Sequence, residues 1–170
     1  MSAGGLKLDI DRGGGGRRST LRAELDPDSD QLAALTDSVR EFVAPVDETQ
    51  AYRVELSIDE LLSNVIRYGL IEGRPSTIRV EVSLLADRIH IVIDHEGISF
   101  DPFVEAPTPD ISLPLEEREI GGLGVFLVKS LMTSAEYERI GECNRITLTR
   151  LLDAARTARY RASSPRRESP

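Results

Sequence analysis

Apolar and polar positions repeat along this chain with two different periods, and each change of period marks an element. Thr20-Leu21-Arg22-Ala23-Glu24-Leu25 alternates residue by residue, as a half-buried strand does. Behind it, Leu32, Leu35, Val39 and Phe42 recur at helical spacing, with Asp28 or Ser29 available as the N-cap and Pro45 as the stop. A second helical stretch covers residues 48–70. Val54, Leu61, Leu62, Val65 and Ile66 fall on its core side, and Gly69 and Gly73-Arg74-Pro75 end it. Two strands follow at 77–84 and 88–95, joined by a tight turn at Ala86-Asp87. An acidic stretch broken by Pro107, Pro109 and Pro114 separates them from a helix at 123–132. Two closing strands, 134–140 and 145–151, flank a Gly141-Glu142 turn. This order of helices and antiparallel strands predicts an α+β fold, with helices layered on one face of a sheet.

Composition sets both ends apart. Residues 1–18 are glycine-rich, closing on Gly13-Gly14-Gly15-Gly16-Arg17-Arg18, and residues 154–170 are polar, basic and proline-containing. Each is expected to be a flexible tail around one folded domain at 19–153. A net charge of −8 speaks against a nucleic-acid partner, which would need a basic face. No apolar run approaches the roughly 20 residues of a membrane span, and no secretory leader is visible. The single cysteine, Cys143, excludes an internal disulfide framework, so a cytoplasmic address is expected.

Candidate chemistry lies in two segments about 60 residues apart. In Glu60-Leu61-Leu62-Ser63-Asn64 a carboxylate and a carboxamide sit one helical turn apart on one face. That pairing suits a general base beside a ligand for a hard cation, although two solvated polar residues would look the same. Gly121-Gly122-Leu123-Gly124 opens a helix and offers free N–H groups to an anion; a helix–strand packing contact is the plainer explanation. Together the two segments suggest a nucleoside triphosphate held with magnesium. A third segment, Arg88 to Gly97, places His95 on the same strand face as Ile89, Ile91 and Ile93. His95 therefore points towards a core or a pocket, as either a satisfied buried imidazole or a ligand contact. Only two histidines exist, on opposite strand faces, which argues against a zinc site.

The order of these pieces resembles the GHKL ATP-binding superfamily, and within it the anti-sigma-factor serine kinases of bacterial partner-switching systems. The stretches that carry the likeness are 60–69, Gly97-Ile98-Ser99-Phe100-Asp101-Pro102, 116–132 and Asn144-Arg145-Ile146-Thr147-Leu148-Thr149. The resemblance implies a Bergerat-type two-layer α/β sandwich with a mixed, mostly antiparallel sheet and helices on one face. It implies ATP and Mg2+ as cofactors, Glu60 as the base that activates a serine hydroxyl, and Asn64 as the magnesium ligand. Gly97 corresponds to the glycine that lets adenine approach the sheet. Gly121, Gly122 and Gly124 correspond to the phosphate-binding turn, residues 103–120 to the ATP lid, and Thr147 to a threonine beside the adenine amino group. The implied partners are a STAS-type anti-sigma antagonist and a sigma factor or similar regulator, with a homodimer as a further option.

Three positions depart from the family pattern. His95 stands where an adenine-binding aspartate is usual, Tyr68 where a histidine often follows the asparagine, and Thr133 where an acidic residue is common. The first departure leaves a competing reading open: a degenerate module that acts by protein contact alone.

Overall fold

The computed structural model of the chain describes residues 5–13, 18–107 and 122–153, and Gly121 and most of the stretch expected to be a lid lie outside that set. Six strands form one sheet: β1 (Lys7–Arg12), β2 (Arg18–Leu25), β3 (Ile78–Leu85), β4 (Arg88–Glu96), β5 (Ser134–Ile140) and β6 (Cys143–Leu151). Their spatial order is β1-β2-β3-β4-β6-β5, and all five neighbouring pairs are antiparallel. The expectation of a mixed sheet is therefore refined, and connectivity explains why. Helices α1 (Ser29–Val43) and α2 (Glu48–Asn64) join β2 to β3. Two successive helices reverse the chain twice, so β3 returns antiparallel to β2. The crossover from β4 through α3 (Pro102–Glu105) and α4 (Leu123–Leu131) runs to the far edge. There the β5–β6 hairpin folds back and inserts β6 between β5 and β4. Gly141 at φ 62° opens that hairpin's two-residue turn, a conformation glycine adopts without penalty.

The core lies between the helices and one sheet face. Leu21, Val82, Ile91 and Leu148 form one cross-strand row, and Ala23, Val80, Ile93 and Ile146 the next. All eight are buried, as the two-residue period requires. Asp28 caps α1 by accepting from the amides of Asp30 and Gln31 at 2.9 and 3.1 Å, and Asp47 caps α2 by accepting from Gln50 at 3.0 Å. No helix among the described residues is long and apolar enough to cross a membrane.

Two expectations need correction. Residues 7–12 were expected within a flexible tail, yet Lys7–Arg12 is an edge strand paired with β2. Its own alternation explains this. Leu8 pairs with Ala23 and Ile10 with Leu21, so both apolar residues extend the core-facing rows. The helix expected over 48–70 keeps α geometry only to Asn64, and Val65–Gly69 then forms one π turn before Leu70 becomes extended. Such turns widen a helix locally and recur at functional sites.

Candidate functional site

A cleft of about 570 Å³ opens between the end of α2, the π turn, the loop after β4 and the start of α4. That volume is within the range typical of small-ligand sites. Leu61, Val65, Ile146, Ile98 and Phe100 give it apolar walls, while Asn64, Arg67 and His95 supply polar groups. Arg67, one turn beyond Asn64 and exposed, provides a local positive charge in a protein of net charge −8.

The structure brings several expected residues together. Asn64 lines the cleft, as do Gly122 and Gly124. Glu60 reaches the same corner from one turn earlier on α2: a Cβ on Gly124 would run into its carboxylate. Gly124 thus gives the Glu60 side chain its place at the N-terminus of α4. Gly122 adopts φ 75°, and a Cβ there would collide with the Pro107 carbonyl, so both its conformation and its surroundings require glycine. No side chain caps α4, whose first turn faces the cleft through Leu123, Gly124 and Val125. Its amides and dipole suit an anion.

At the opposite end, His95 lies where its strand phase puts it, only 6% exposed and in line with Leu25, Ile78 and Asn144. Burial, the largest influence, pushes its pKa below 6.5, since a low-dielectric site disfavours the charged ring. Its Nδ1 is 3.4 Å from the Glu96 carbonyl, and a carbonyl can only accept. That contact selects the tautomer protonated on Nδ1 and leaves Nε2 as the ring's acceptor.

Two expected residues stand elsewhere. Gly97 is not on the cleft wall. A Cβ there would strike the Gly69 carbonyl, which accepts from the Ile98 amide at 2.8 Å. Its smallness lets the loop after β4 dock on the π turn. Thr147 is on the wrong sheet face: it pairs with Val92, in a row with Glu81 and Arg22, opposite the helices. The residue that β6 presents beside His95 is Asn144, 1% exposed and its cross-strand partner. Strand phase alone contained that signal, because Asn144, Ile146 and Leu148 share the buried face. Arg67, Ile98 and Phe100 also line the cleft; they fall in stretches that carry the family likeness, without a role of their own in the sequence reading.

The sequence matches the histidine kinase-like ATPase domain family over residues 25–150. It is similar to the serine/threonine-protein kinase BtrW of Bordetella bronchiseptica, 26% identical over 98 residues that cover 58% of this chain and 68% of that protein. It is also similar to the serine-protein kinase RsbW of Halalkalibacterium halodurans, 34% identical over 88 residues, 50% of this chain and 53% of that one. Against the RsbW of Listeria monocytogenes it is 27% identical over 82 residues, and there too the chain spans about half the relative's length, 52%. A solved histidine kinase domain, from the blue-light activated kinase of Erythrobacter litoralis EL346, superposes with a TM-score of 0.46 at 12% identity. That match covers 79% of this chain and 66% of that one. With the family match spanning most of the folded unit, and with an antiparallel sheet layered by helices around one polar-ended cleft, the chain belongs to the histidine kinase-like ATPase domain family.

Proposed function

We propose that this protein is an ATP-dependent protein serine kinase of the partner-switching type. In this reading it transfers the terminal phosphate of ATP to a serine on a STAS-type antagonist and sequesters a sigma factor or similar regulator. One observation carries the reading: the Glu60 carboxylate is lodged against Gly124 at the uncapped start of α4, with Asn64 one turn away on the cleft wall. A base, a metal ligand and an anion-binding helix start thus converge on one corner.

The donor set fits magnesium and a triphosphate. Asn64 offers a neutral oxygen of the kind that completes a magnesium shell built mostly from phosphates and water. Arg67 and the α4 amides offset phosphate charge. His95 Nε2 presents an acceptor to a base that carries an exocyclic amine, and the apolar walls of Val65, Ile98 and Ile146 suit its ring faces. When bound, magnesium and ATP supply the electrophilic phosphorus and neutralise the charge on the transferring group. The chain's own part is positioning. Glu60 accepts the proton of an incoming serine hydroxyl, Asn64 holds the metal end in line, and the cleft fixes the base.

Calorimetry with ATP in the presence and absence of magnesium tests the first half. Magnesium-dependent binding is expected, abolished in Asn64→Ala. Transfer of labelled phosphate to a STAS-domain protein tests the second half. A protein that ignores ATP at millimolar concentration would instead be a module acting by contact alone.

A further inference from the structure

Beside the cleft, three side chains of the β5–β6 hairpin reach across to three consecutive residues of the loop after β4. Arg139 donates from Nη1 to the Gly97 carbonyl at 3.1 Å. Asn144 donates from Nδ2 to the Ile98 carbonyl at 3.0 Å. The Tyr137 hydroxyl is 3.3 Å from Ser99 Oγ. The three are also tied to one another. Asn144 Oδ1 accepts from the Tyr137 hydroxyl at 2.7 Å and from Arg139 Nη1 at 2.8 Å. Arg139 Nε meanwhile donates to the Gly141 carbonyl at 2.9 Å, anchoring the group to the hairpin's own turn.

The loop has little other reason to stay in place. Ile98 is 51% exposed and Phe100 44%, so apolar burial fixes neither. Yet both form a wall of the cleft. Among the described residues, the other backbone bond to this stretch from outside is the one the Ile98 amide donates to the Gly69 carbonyl. Asn144 is also spoken for. Its oxygen accepts from Tyr137 and Arg139 and its amide donates to the Ile98 carbonyl, so the side chain beside His95 is oriented by the hairpin and the loop together.

We propose that Arg139, Asn144 and Tyr137 act as a positioning clamp that sets the base-side wall of the nucleotide cleft, with Arg139 at its centre. Resting on the nucleotide-binding reading above, the clamp makes base affinity depend on a hairpin that contributes no atom to phosphate transfer. Glu60 and Asn64 stand on α2 and are untouched by it. Loss of the clamp therefore raises KM for ATP and leaves kcat nearly unchanged. Arg139 adds a second influence: its positive charge opposes protonation of His95, in the same direction as burial and against the pull of Asp94 and the Glu96 carbonyl.

The test compares wild type with Arg139→Ala, Arg139→Lys and the milder Tyr137→Phe, each shown by circular dichroism and thermal melting to be folded at the assay temperature. Magnesium-ATP affinity is measured by calorimetry, KM and kcat by transfer of labelled phosphate to a STAS-domain protein. Arg139→Ala should weaken ATP binding by about tenfold, the scale of one or two lost hydrogen bonds, with kcat within about twofold. Arg139→Lys should recover part of that loss through the Gly97 carbonyl alone, and Tyr137→Phe should lose less than Arg139→Ala. Amide exchange at Ile98, Ser99 and Phe100 in the nucleotide-free protein should accelerate in the same order. Unchanged affinity in folded Arg139→Ala would overturn the clamp, as would equal losses in kcat and affinity. If wild type binds no ATP, the kinase reading fails, and the exchange rates still decide whether the hairpin holds the loop.

Discussion

If the cleft binds ATP as proposed, an imidazole at its base should make nucleotide recognition sensitive to pH, and the sign follows from the surroundings of His95. Burial lowers its pKa from 6.5, Arg139 on β5 pushes the same way, and Asp94, paired with Arg145 across the other face, pulls against them. At pH 7.5 the ring is neutral and Nε2 accepts. As pH falls through the lowered pKa the ring becomes a donor on both nitrogens and repels an exocyclic amine. The contact at stake is one buried hydrogen bond, about 1–3 kcal/mol if left unsatisfied, or about 5- to 150-fold in affinity. ATP has a titrating phosphate of its own, so affinity alone is ambiguous. GTP shares that phosphate but presents an oxygen where adenine has its amine. The ratio of ATP to GTP affinity therefore isolates the base contact. By calorimetry with saturating magnesium, this ratio should fall as pH goes from 7.5 to 5.0, and His95→Asp should raise it and flatten its pH dependence. Stability moves with the same sign. A histidine whose folded pKa lies below its unfolded value contributes stability above the unfolded pKa and loses it as pH falls, so wild type should melt lower at pH 5 than a His95→Phe variant's trend would give. An affinity ratio that stays flat with pH, in a protein that does bind ATP, would refute this account of His95.

Other outcomes follow from the phosphate end and from the misplaced threonine. Glu60→Gln should keep magnesium-ATP binding and lose about 100-fold or more in phosphate transfer, whereas Asn64→Ala should lose binding itself; equal loss of affinity in both would remove the division of roles. Gly124→Ala drives a methyl into the Glu60 carboxylate, a flexible group that can swing aside, so Tm should fall by only about 2–4 °C for about 1 kcal/mol while transfer falls as far as Glu60 is displaced. Thr147→Val, on the sheet face away from the helices, should leave ATP affinity within about twofold in the same calorimetric titration, a surface change that touches no part of the cleft.

Much of the frame was legible in the residues because burial has a period. Strand alternation places His95 among buried isoleucines, and helical spacing with Asp28 as the cap gives α1. The same rule outweighs the motif likeness at Thr147, since Asn144, Ile146 and Leu148 share the covered face. Strand β1 was hidden by the glycines beside it, although Leu8 and Ile10 alternate with charged residues. The π turn at Val65–Gly69 has no signal of its own, because it is stabilised by the docking of Gly97 and Ile98 on Gly69, a tertiary contact. Arg139 and Tyr137 look like ordinary polar residues of an edge strand until the hairpin meets a loop some 40 positions earlier, 42 in the case of Gly97.

The insertion of β6 between β4 and β5 also bears on when the cleft comes into being. A strand late in the chain is usually added at a sheet's rim; here it occupies an inner place, and β5 on the rim can join the sheet only through it. Asn144 and Ile98, hydrogen-bonded beside the cleft, are 46 positions apart, with the whole α4 crossover between them. Contacts of such sequence separation form slowly, because loop-closure entropy must be overcome before they contribute anything. A chain emerging from the ribosome can pair β2, β3 and β4 and cover them with α1 and α2 while the cleft still lacks the walls that α4 and Ile146 of β6 supply. Ligand binding, on this view, reports the completion of folding, and nucleotide present during refolding stabilises only molecules whose last hairpin has already docked.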